Sequence, residues 1–383
     1  MKIAVLVSGG VDSSVALKLL KEQGHDVTAY YLKIWLEDEL EFLGDCPWED
    51  DLSYVRQICE KDNIPLKIVP LQKEYFQTVV KYTISEVKKG HTPNPDVMCN
   101  NNIKFGLFFD KIERHAAEAR RVSSPRQGGA GSGQRRVPLS KQVKVATGHY
   151  ARVIEKNKRF FLKRAPDPIK DQTYFLSNLK QSQLKKLIFP IGHLAKNEVR
   201  KLAQKFDLPN KSRKDSQGIC FLGKVKYSEF IKHYLGEKKG DIINFDTKEK
   251  MGEHEGFWYY TIGQRKGIGI GGIKDSTGKP FYVVNKDPKK NIVYVSNNYH
   301  ALDQKRDILE VTNFNWFAGK PPTKKTLNVK LRHGEHEYKA KISFLNKSRA
   351  KLKLNSPDQG IAPGQFVAFY DGDICLGSAI ITQ

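Results

Sequence analysis

Two periods of apolar residues dominate the first half of the chain. Lys2–Val7 is a near-continuous apolar run, typical of a parallel strand that is covered on both faces. A helix-periodic segment follows from Val15 to Glu22. Strand-like and helix-like segments then alternate, at Asp26–Trp35, Asp51–Asn63, Pro65–Leu71 and Tyr75–Gly90. Because such alternation builds a sheet with helices on both faces, it predicts an α/β domain with a doubly wound parallel sheet.

The pattern changes in the rest of the chain. Residues 119–143 are rich in Gly, Ser and Arg and lack periodicity, so we interpret them as a basic insertion. The insertion either contacts RNA phosphate or has no role, and the second is favoured because such loops cost little stability. A strand resumes at Lys144–Val153, and helical segments broken at Pro190 follow over Ser182–Leu208. From Phe281 onward, short alternating runs between turn residues predict a small antiparallel barrel.

The charge balance narrows the class of partner. The 383 residues include 65 Lys and Arg against 42 Asp and Glu, a formal charge of +23. Such an excess attracts polyanions, so a nucleic-acid partner is favoured over an evenly basic surface without a function. No apolar run approaches the ~20 residues of a membrane span, and no signal peptide precedes Lys2. We expect a cytoplasmic protein without a membrane partner, although an organellar protein without its leader would look the same.

The five cysteines are spaced for individual use. None lies in a C-x-x-C pair, so we expect neither a zinc site nor an iron–sulfur cluster. An odd count in a chain of this length argues for a reducing compartment. Cys59 on an apolar helix face and Cys375 in a strand fit the common role of a buried apolar thiol, and for Cys46 a structural role is favoured.

The segment Ser8–Ser14, with sequence SGGVDSS, lies between the first strand and the first helix. Gly9 and Gly10 would let a pyrophosphate approach the backbone amides, and the helix N-terminus offers N–H groups to the anion. Ser8, Ser13 and Ser14 add hydroxyl groups. Asp12 would repel phosphate unless a Mg²⁺ ion lies between them. The alternative is an ordinary strand–turn–helix junction in which Asp12 or Ser13 caps the helix.

Two other cysteines, Cys99 and Cys220, lie in polar segments that would suit a reactive thiol. Cys99 follows a turn stiffened by Pro95 and precedes a predicted helix start that carries Lys104; a thiol at a helix N-terminus has a lowered pKa. Arg213 and Lys214 lie upstream of Cys220 and would favour its thiolate. Two reactive thiols that meet in space can exchange a disulfide or a persulfide. The alternative for Cys99 is again a buried apolar thiol.

Several motifs in one order resemble the tRNA-specific 2-thiouridylase family of bacteria and organelles. The resemblance covers essentially the whole chain. Its anchors are Ser8–Ser14, Asn94–Gly106, Ala146–Arg152, Lys170–Leu176, Asp215–Gly223 and Tyr260–Ile270. The insertion around Arg120–Arg136 is longer than the family pattern leads us to expect, which leaves the local path there open.

The resemblance implies three domains and a set of site residues. They are an ATP pyrophosphatase-like catalytic domain over residues 1–223, a central tRNA-contacting domain over 224–275 and a C-terminal antiparallel β-barrel over 276–383. Cys99 would be the nucleophile and Cys220 the persulfide carrier. The residues expected to bind ATP are Leu6, Val7, Ser8, Gly9, Gly10, Val11, Asp12, Ser13, Leu32 and Gly148. Those expected to meet the target base are Asn94, Pro95 and Asp96, and those expected to contact tRNA are Lys170, Asp171, Gln172, Arg332 and His333.

Asp171, Gln172 and His149 each have a structural alternative. Asp171 and Gln172 would read RNA or simply cap a turn. His149, next to Gly148, would bind substrate or act as an acid–base group, and a structural histidine at a strand end is about as expected.

The implied reaction is ATP-dependent 2-thiolation of the wobble uridine in the tRNA anticodon loop. ATP would adenylate the 2-carbonyl oxygen, and a Cys220 persulfide, loaded by a desulfurase or a relay protein, would supply sulfur and leave a Cys99–Cys220 disulfide. Direct attack by the persulfide and release of sulfide inside the pocket both stay open. One rival is another carbonyl-adenylating ligase, which acts on a small molecule and needs neither cysteine. A second is an RNA-binding module without catalysis.

Overall fold

The computed structural model of the protein describes residues 1–34, 48–114, 143–215, 226–270, 279–298 and 306–382. Cys46, Cys220 and residues 119–142 of the predicted insertion lie outside these ranges. The described residues divide into two compact units. The first contains residues up to 75 and residues 97–215, and the second contains residues 76–96 and those from 226 onward. Over the described ranges, no helix combines the length and the apolar character needed to span a bilayer.

The first unit is built on a five-stranded sheet in the order β3-β2-β1-β4-β7, and every pairing is parallel. The strands are β1 (Lys2–Val7), β2 (Asp26–Lys33), β3 (Leu66–Pro70), β4 (Lys144–Ala146) and β7 (Leu187–Ile188). An antiparallel hairpin of β5 (Ala151–Lys156) and β6 (Arg159–Arg164) follows β4. The predicted α/β domain with a parallel sheet is confirmed, but β7 lies where only broken helix was expected.

Helical segments connect these strands, and their apolar faces explain why they pack on the sheet. The segments of the first unit are Val11–Glu22, Trp48–Lys61, Gln72–Tyr75, Cys99–Leu107, Thr173–Leu176, Gln181–Leu184 and Lys196–Lys205. On Val11–Glu22, the side chains of Val15, Leu17 and Leu20 are at most 2% exposed. They join Ile3 and Val5 of β1 in one apolar core. Burying each such side chain contributes about 1.5–3 kcal/mol.

The second unit contains a four-stranded sheet in the order β10-β11-β8-β9. Its strands are β8 (Gly240–Asn244), β9 (Lys250–His254), β10 (Tyr282–Asp287) and β11 (Ile292–Ser296). β8 and β11 run parallel, and the other two pairings are antiparallel. The predicted boundary between residues 275 and 276 assigned β10 and β11 to the barrel. Instead they pair within this sheet, because Val283, Val293 and Val295 complete a core with Ile242 and Phe257.

The remaining strands close into a six-stranded antiparallel barrel. Its strands are β12 (Ile308–Trp316), β13 (Thr326–Lys330), β14 (Tyr338–Phe344), β15 (Arg349–Leu354), β16 (Phe366–Asp371) and β17 (Ile374–Ile381). The ring runs β12-β15-β14-β13-β16-β17 and returns to β12. Strict alternation of exposed and buried residues along β15 fills the interior, which is how a small barrel forms a core. The predicted C-terminal antiparallel barrel is confirmed.

Helices also belong to the second unit. They are Phe76–Val80, Lys81–Lys88, Tyr227–Leu235 and the single turn Phe257–Tyr259. Tyr75–Gly90, predicted as one amphipathic helix, is helical from Gln72 to Lys88 through a π-helical stretch at Phe76–Val80.

Candidate active site

The loop after β1 has the geometry of an anion site. Gly10 precedes the helix Val11–Glu22, whose first backbone N–H groups have no acceptor within the helix. Gly9 has φ +73°, and a Cβ at this position would stand 2.6 Å from the backbone oxygen of Asp51. Only glycine therefore fits between the loop and the helix Trp48–Lys61. The open N-terminus of the helix Val11–Glu22 is the feature of this loop that a phosphate group requires.

The loop hydroxyl groups hold the backbone in shape. Ser13 Oγ and Ser14 Oγ each donate to the Gly10 carbonyl at 3.0 Å. The amide of Ser8 donates to Ser13 Oγ at 3.2 Å. Ser13 and Ser14 are buried, whereas Ser8 is exposed. The serines predicted to contact phosphate therefore differ: Ser13 and Ser14 fix the turn, and Ser8 faces outward.

A distant segment of the chain clamps the same loop. Asn210 Nδ2 donates to the Gly9 carbonyl at 2.8 Å and to Ser14 Oγ at 2.9 Å. Arg213 Nη1 donates to the Gly9 carbonyl at 3.3 Å, and its Nη2 forms an ion pair with Asp51 Oδ1 at 2.5 Å. Burial raises the pKa of Asp51, and Arg213 opposes that shift. The Arg213 charge, which the sequence suggested would stabilise a Cys220 thiolate, is thus engaged with Asp51.

Asp12 of the loop is held by two partners. Both of its carboxylate oxygens accept hydrogen bonds from Lys196 Nζ, at 2.8 and 2.9 Å. The hydroxyl of Tyr150 donates to Asp12 Oδ1 at 2.9 Å. Burial, and then the nearby Asp12 carboxylate, raise the pKa of Tyr150. A Mg²⁺ ion on Asp12 would have to displace Lys196, and this site stays a prediction.

Lys196 also contacts Asp215. Its Nζ lies 2.7 Å from Asp215 Oδ1. Arg200 Nη2 donates to the same oxygen at 2.6 Å, and Lys170 Nζ donates to Asp215 Oδ2 at 2.7 Å. Burial acts to raise the pKa of Asp215, but the hydrogen bonds and charges of Lys170 and Lys196 outweigh it and hold the pKa at about 2. Asp215 is therefore ionised throughout the neutral range.

Gly148 and its neighbours complete this edge of the sheet. A Cβ on Gly148 would stand 2.6 Å from the backbone nitrogen of Ser13, so the turn after β4 packs directly on the loop. Next to it, the His149 ring lies between Phe105 and Phe189, with centroids 5.9 Å away on each side. Its Nδ1 is 2.7 Å from Thr147 Oγ1. Desolvation, together with the Lys104 charge, lowers the pKa of His149 to about 3, which supports the structural alternative for this residue.

Three of the residues predicted to bind ATP, Leu6, Val7 and Leu32, lie on strands. Leu6 and Val7 end β1, and both side chains are buried. Leu32 lies within β2 and pairs with Val69 of β3. The loop after β1 thus lies next to Gly148 in the first unit. Leu32 lies on β2, the strand that pairs with β1.

Cys99 stands inside a helix, not at its start. The helix begins at Pro95, and Cys99 opens the π-helical stretch Cys99–Leu107. The predicted helix start after Cys99 was therefore wrong, because Pro95 takes the first helical position, where its missing N–H costs nothing. The Cys99 side chain is 1% exposed. Its burial favours the alternative of an apolar thiol for this conformation.

Neighbouring groups explain the π-helical stretch. A Cβ on Gly106 would approach the Asn101 carbonyl to 2.9 Å, so glycine allows the widened turn. Gln183 Nε2 donates to the carbonyls of Asn101 and Phe105, at 2.8 and 2.7 Å. Such stretches concentrate at functional sites, which keeps the prediction for Cys99 open.

The other described cysteines have the predicted surroundings. Cys59 and Cys375 are buried, and Cys375 Sγ donates to the Gly377 carbonyl at 3.8 Å. Burial, and then the charges of Asp62 and Glu60, raise the pKa of Cys59 to about 11, so it stays a thiol.

The predicted tRNA contacts in the first unit are engaged within the fold. Asp171 is 1% exposed and accepts from Thr173 Oγ1 at 2.9 Å on both oxygens. Gln172 Oε1 accepts from the Tyr150 amide at 3.0 Å. These bonds favour the turn-capping alternative for Asp171 and Gln172. Lys170 is bound to Asp215, as described above.

The predicted contacts in the second unit are more exposed. Arg332 is 45% exposed at the side chain and forms an ion pair with Asp358 at 2.7 Å, and the adjacent His333 is exposed. Asn94 and Asp96 are partly exposed, whereas Pro95 is buried. Their proposed contacts with tRNA and with the target base stay predictions.

Comparison with known proteins identifies the family. Three family models match in sequence: a tRNA methyl transferase HUP domain at residues 1–124 and 136–224, a tRNA methyl transferase PRC-barrel domain at 228–297 and an aminomethyltransferase beta-barrel domain at 306–381. The tRNA-specific 2-thiouridylase MnmA of Parabacteroides distasonis is 42% identical over 390 residues, covering 100% of this chain and 99% of the relative. MnmA 1 of Bacteroides thetaiotaomicron is 40% identical over 389 residues and the whole of both chains. The chain belongs to the tRNA-specific 2-thiouridylase family.

Among solved structures, an NMN synthetase from Francisella tularensis shares 17% identity over 62% of this chain and 77% of that one. Its TM-score of 0.31 is too low to bear on fold or function.

Four residues that contact the loop Ser8–Ser14 or Asp215 were missed in the sequence. Tyr150, Lys196, Asn210 and Arg200 contact the loop or Asp215 only because the fold brings distant segments together. One signal for Lys196 was present: it is the first residue of the helix Lys196–Lys205, where a cation is disfavoured by the helix dipole. A cation at such a position indicates carboxylate partners outside the helix.

Proposed function

We propose that this protein uses ATP to replace the 2-oxygen of a tRNA uridine with sulfur. The observation that carries the proposal is its match, along its whole length, to relatives named tRNA-specific 2-thiouridylase. The net charge of +23 supports an RNA substrate. We propose the wobble uridine of the anticodon loop as the target, since an unpaired loop lets a base leave the stack.

The loop Ser8–Ser14 supports the part of the reaction that uses ATP. Gly10 precedes the helix Val11–Glu22, whose first N–H groups can receive phosphate, and Gly9 and Gly148 let the backbones of Asp51 and Ser13 pack closely around this turn. The uridine 2-oxygen attacks the α-phosphorus, pyrophosphate leaves, and the carbonyl becomes an adenylate. Donors aimed at the phosphates stabilise the charge that develops there. A Mg²⁺ ion, if held by Asp12, would supply further charge neutralisation.

The cysteines carry the sulfur half. The terminal sulfur of a Cys220 persulfide attacks C2 of the adenylate, a C–S bond forms, and AMP leaves. The Cys99 thiolate then attacks Cys220 Sγ and breaks the S–S bond, so that 2-thiouridine is released and a Cys99–Cys220 disulfide remains. Two electrons from an external thiol restore both cysteines. Cys99 opens the π-helical stretch Cys99–Leu107, and because such stretches concentrate at functional sites, its position supports this assignment.

Two further parts of the proposal concern partners and location. A persulfide-bearing protein, either a desulfurase or a relay protein, would load Cys220. The odd number of cysteines supports a reducing, cytoplasmic setting.

The proposal is tested with unmodified tRNA, ATP, Mg²⁺ and a persulfide source, followed by mass analysis of the nucleosides. We expect 2-thiouridine with the wild type, none with Cys99→Ala or Cys220→Ala, and wild-type amounts with Cys59→Ala. Cys59 is the matched control because it is a buried cysteine of the unit that contains Cys99. Sulfur incorporation that survives both cysteine substitutions would overturn the sulfur half of the proposal.

The same experiment separates the rival functions. An adenylating ligase for a small molecule would turn over ATP without tRNA and without either cysteine. An RNA-binding module without catalysis would bind tRNA and form no AMP. A methylated nucleoside, as the description of the family model would suggest, differs from 2-thiouridine in mass.

A further inference from the structure

The side chain of Gln183 bridges two turns of the π-helical stretch Cys99–Leu107. Its Nε2 donates to the Asn101 carbonyl at 2.8 Å and to the Phe105 carbonyl at 2.7 Å. Gln183 is only 8% exposed. Its Oε1 accepts from the Lys180 amide at 2.7 Å, the capping-box bond at the start of the helix Gln181–Leu184. Because Lys180 holds the oxygen, the nitrogen of this amide group points at the π-helical stretch.

The two bonds from Gln183 fit a π-helix and do not fit an α-helix. Bonds of 2.8 and 2.7 Å to one nitrogen require the Asn101 and Phe105 oxygens to lie closer together than the sum of these lengths. In an α-helix, residues four apart are separated by about 6 Å along the axis, which exceeds that sum. A π-helix rises less per residue and brings the two oxygens within reach. Gln183 therefore stabilises the π-helical form selectively.

Cys99 is the residue of the stretch that depends most on the helical form. It opens the stretch, and the other end is fixed in the core, where Phe105, Phe108 and Phe109 are at most 5% exposed. An α-helix turns about 100° per residue, and a π-helix turns less, because its hydrogen bonds span one residue more. A change of form between Asn101 and Phe105 would therefore rotate Cys99 relative to the anchored aromatic residues.

The anchored end of the stretch contacts the edge of the sheet that is assigned to ATP. The Phe105 ring lies 5.9 Å from the ring of His149, the residue after Gly148. The direction of Cys99 relative to Phe105 is thus also its direction relative to this edge. A nucleophile that must meet a reacting partner gains rate when its direction is held, so the form of the helix bears on the step that uses Cys99.

We propose that Gln183 is a positioning residue that holds Cys99–Leu107 in the π-helical form and thereby directs the Cys99 side chain. The inference rests on the proposed function and deepens it, because a fixed direction matters only if Cys99 is a nucleophile. Gln183 is not assigned a contact with tRNA, with ATP or with the reacting sulfur. Its loss should slow the step that uses Cys99 and leave adenylation of the uridine unchanged.

Gln183→Glu removes the two donated bonds and keeps the capping bond. The carboxylate still accepts from the Lys180 amide, since Glu is a usual capping-box residue, but it does not donate to the carbonyls of Asn101 and Phe105. Gln183→Met is the second variant, because it removes the same donors without adding a charge. A defect caused only by a buried charge would appear in Gln183→Glu alone, and that result would overturn the proposal.

The matched control is Gln181→Glu, which makes the same chemical change in the same helix. Gln181 Nε2 donates to the Phe160 carbonyl of β6 at 2.6 Å, and its Oε1 accepts from the Phe160 amide at 2.9 Å. Gln181→Glu therefore also removes a donor from a backbone carbonyl, but this carbonyl belongs to β6 and not to the π-helical stretch.

The alkylation rate of Cys99 with iodoacetamide, read by mass spectrometry of its peptide, measures how firmly the stretch is held. Because Cys99 is 1% exposed, it reacts when the stretch opens. We expect both Gln183 variants to raise the rate at least about tenfold, since two backbone carbonyls lose a buried donor. Gln181→Glu should stay within about twofold of the wild type, because distant sites act independently. Wild-type rates in both Gln183 variants would overturn the proposal.

The consequence for the reaction is measured in two assays. In a single turnover, Gln183→Glu should form 2-thiouridine at least about tenfold more slowly than the wild type, because Cys99 is misdirected. The exchange of labelled pyrophosphate into ATP in the presence of tRNA reports adenylation alone, and it should stay within about twofold. Loss of this exchange together with thiolation would mean that Gln183 serves general stability, and the positioning role would be wrong.

Failure of the inference and failure of the proposed function give different results. If the wild type forms no 2-thiouridine, the proposed function fails, and the alkylation rates still show whether Gln183 holds Cys99. If the wild type forms 2-thiouridine and both Gln183 variants form it at the same rate, the function stands and the positioning role is overturned.

Discussion

Gly148 lies against Ser13 so closely that a Cβ on Gly148 would stand 2.6 Å from the Ser13 backbone nitrogen and 2.7 Å from the Asp12 carbonyl carbon. The turn after β4 and the loop after β1 are thus in direct backbone contact. Because neither backbone can yield without changing its own hydrogen bonds, this contact fixes the relative position of two segments assigned to the nucleotide site.

Gly148→Ala should therefore weaken ATP binding. The added methyl group would push the first turn of the helix Val11–Glu22 out of place, and overpacking of this kind costs about 1–3 kcal/mol. We expect the Kd for ATP to rise about tenfold or more, measured by calorimetric titration. Gly252→Ala is the control, since its Cβ would meet nothing closer than 3.7 Å. An unchanged Kd in Gly148→Ala would show that nucleotide does not bind at this contact.

Cysteine chemistry provides a second prediction. After a single turnover without reductant, peptide mapping should find a disulfide between Cys99 and Cys220. Cys59 should remain unlinked, because burial and neighbouring carboxylates raise its pKa to about 11 and leave almost no thiolate. Formation of 2-thiouridine with both Cys99 and Cys220 still reduced would contradict a Cys220 persulfide as the donor, because reducing its outer sulfur takes two electrons that, without a reductant, must come from the two thiols.

The strands could be predicted where the residues themselves determine burial. Lys2–Val7 was predicted and observed with the same bounds, because a strand covered on both faces is apolar at nearly every position. β7 was missed because Leu187–Ile188 is too short to show a period and, among the described strands, pairs with β4 alone. β10 and β11 have the alternation of barrel strands, and the sequence does not say which sheet they join.

The site was predictable only where chemistry is local. Gly9 and Gly10 announce a close approach of backbone to ligand in any strand–turn–helix context. Arg213 was interpreted through its sequence neighbours as a partner of Cys220, but a long side chain binds what the fold brings near, here Asp51 and the Gly9 carbonyl. Lys196 and Asp12 are 184 positions apart, and no local pattern predicts such a contact.

Arg332 provides a third prediction, on stability. Asp358 is 2% exposed at its side chain and accepts from Arg332 Nη2 at 2.7 Å and from the Gly360 amide at 2.7 Å. Arg332→Ala removes the charged partner of a buried carboxylate, which should lower the free energy of unfolding of the barrel by about 1–3 kcal/mol. Chemical denaturation followed by barrel fluorescence measures this loss.

A test of the tRNA contact predicted for Arg332 needs a variant that keeps the positive charge of the ion pair. Arg332→Lys should retain most of the stability, and it still offers a positive charge to phosphate. If Arg332 reaches the RNA backbone, Arg332→Ala should reduce the salt dependence of tRNA binding by about one unit of slope, and Arg332→Lys should not. Equal salt slopes for all three proteins would confine Arg332 to its role in the barrel.

His149 gives the first unit a pH-dependent stability. The pKa of His149 is about 3 in the folded protein, below the ordinary value of 6.5. Between these two values the unfolded chain binds a proton at His149, whereas the native state does not. The stabilisation is complete above pH 6.5 and is lost progressively as the pH falls towards 3. When the pH is lowered from about 7.5 to about 5.0, His149 alone should reduce the free energy of unfolding of the wild type by about 2 kcal/mol.

His149→Gln removes the titrating group and should lose less stability over the same interval. Hydrogen exchange of peptides from β1 and β4 measures the opening free energy of this unit separately from the barrel. Burial also lowers the pKa of His254, so the difference between wild type and His149→Gln carries the test. Asp215 does not interfere, because its pKa of about 2 keeps it ionised across this interval. Identical pH profiles for the two proteins would mean that His149 takes up its proton in the folded state, where it would then be available as an acid–base group beside Gly148.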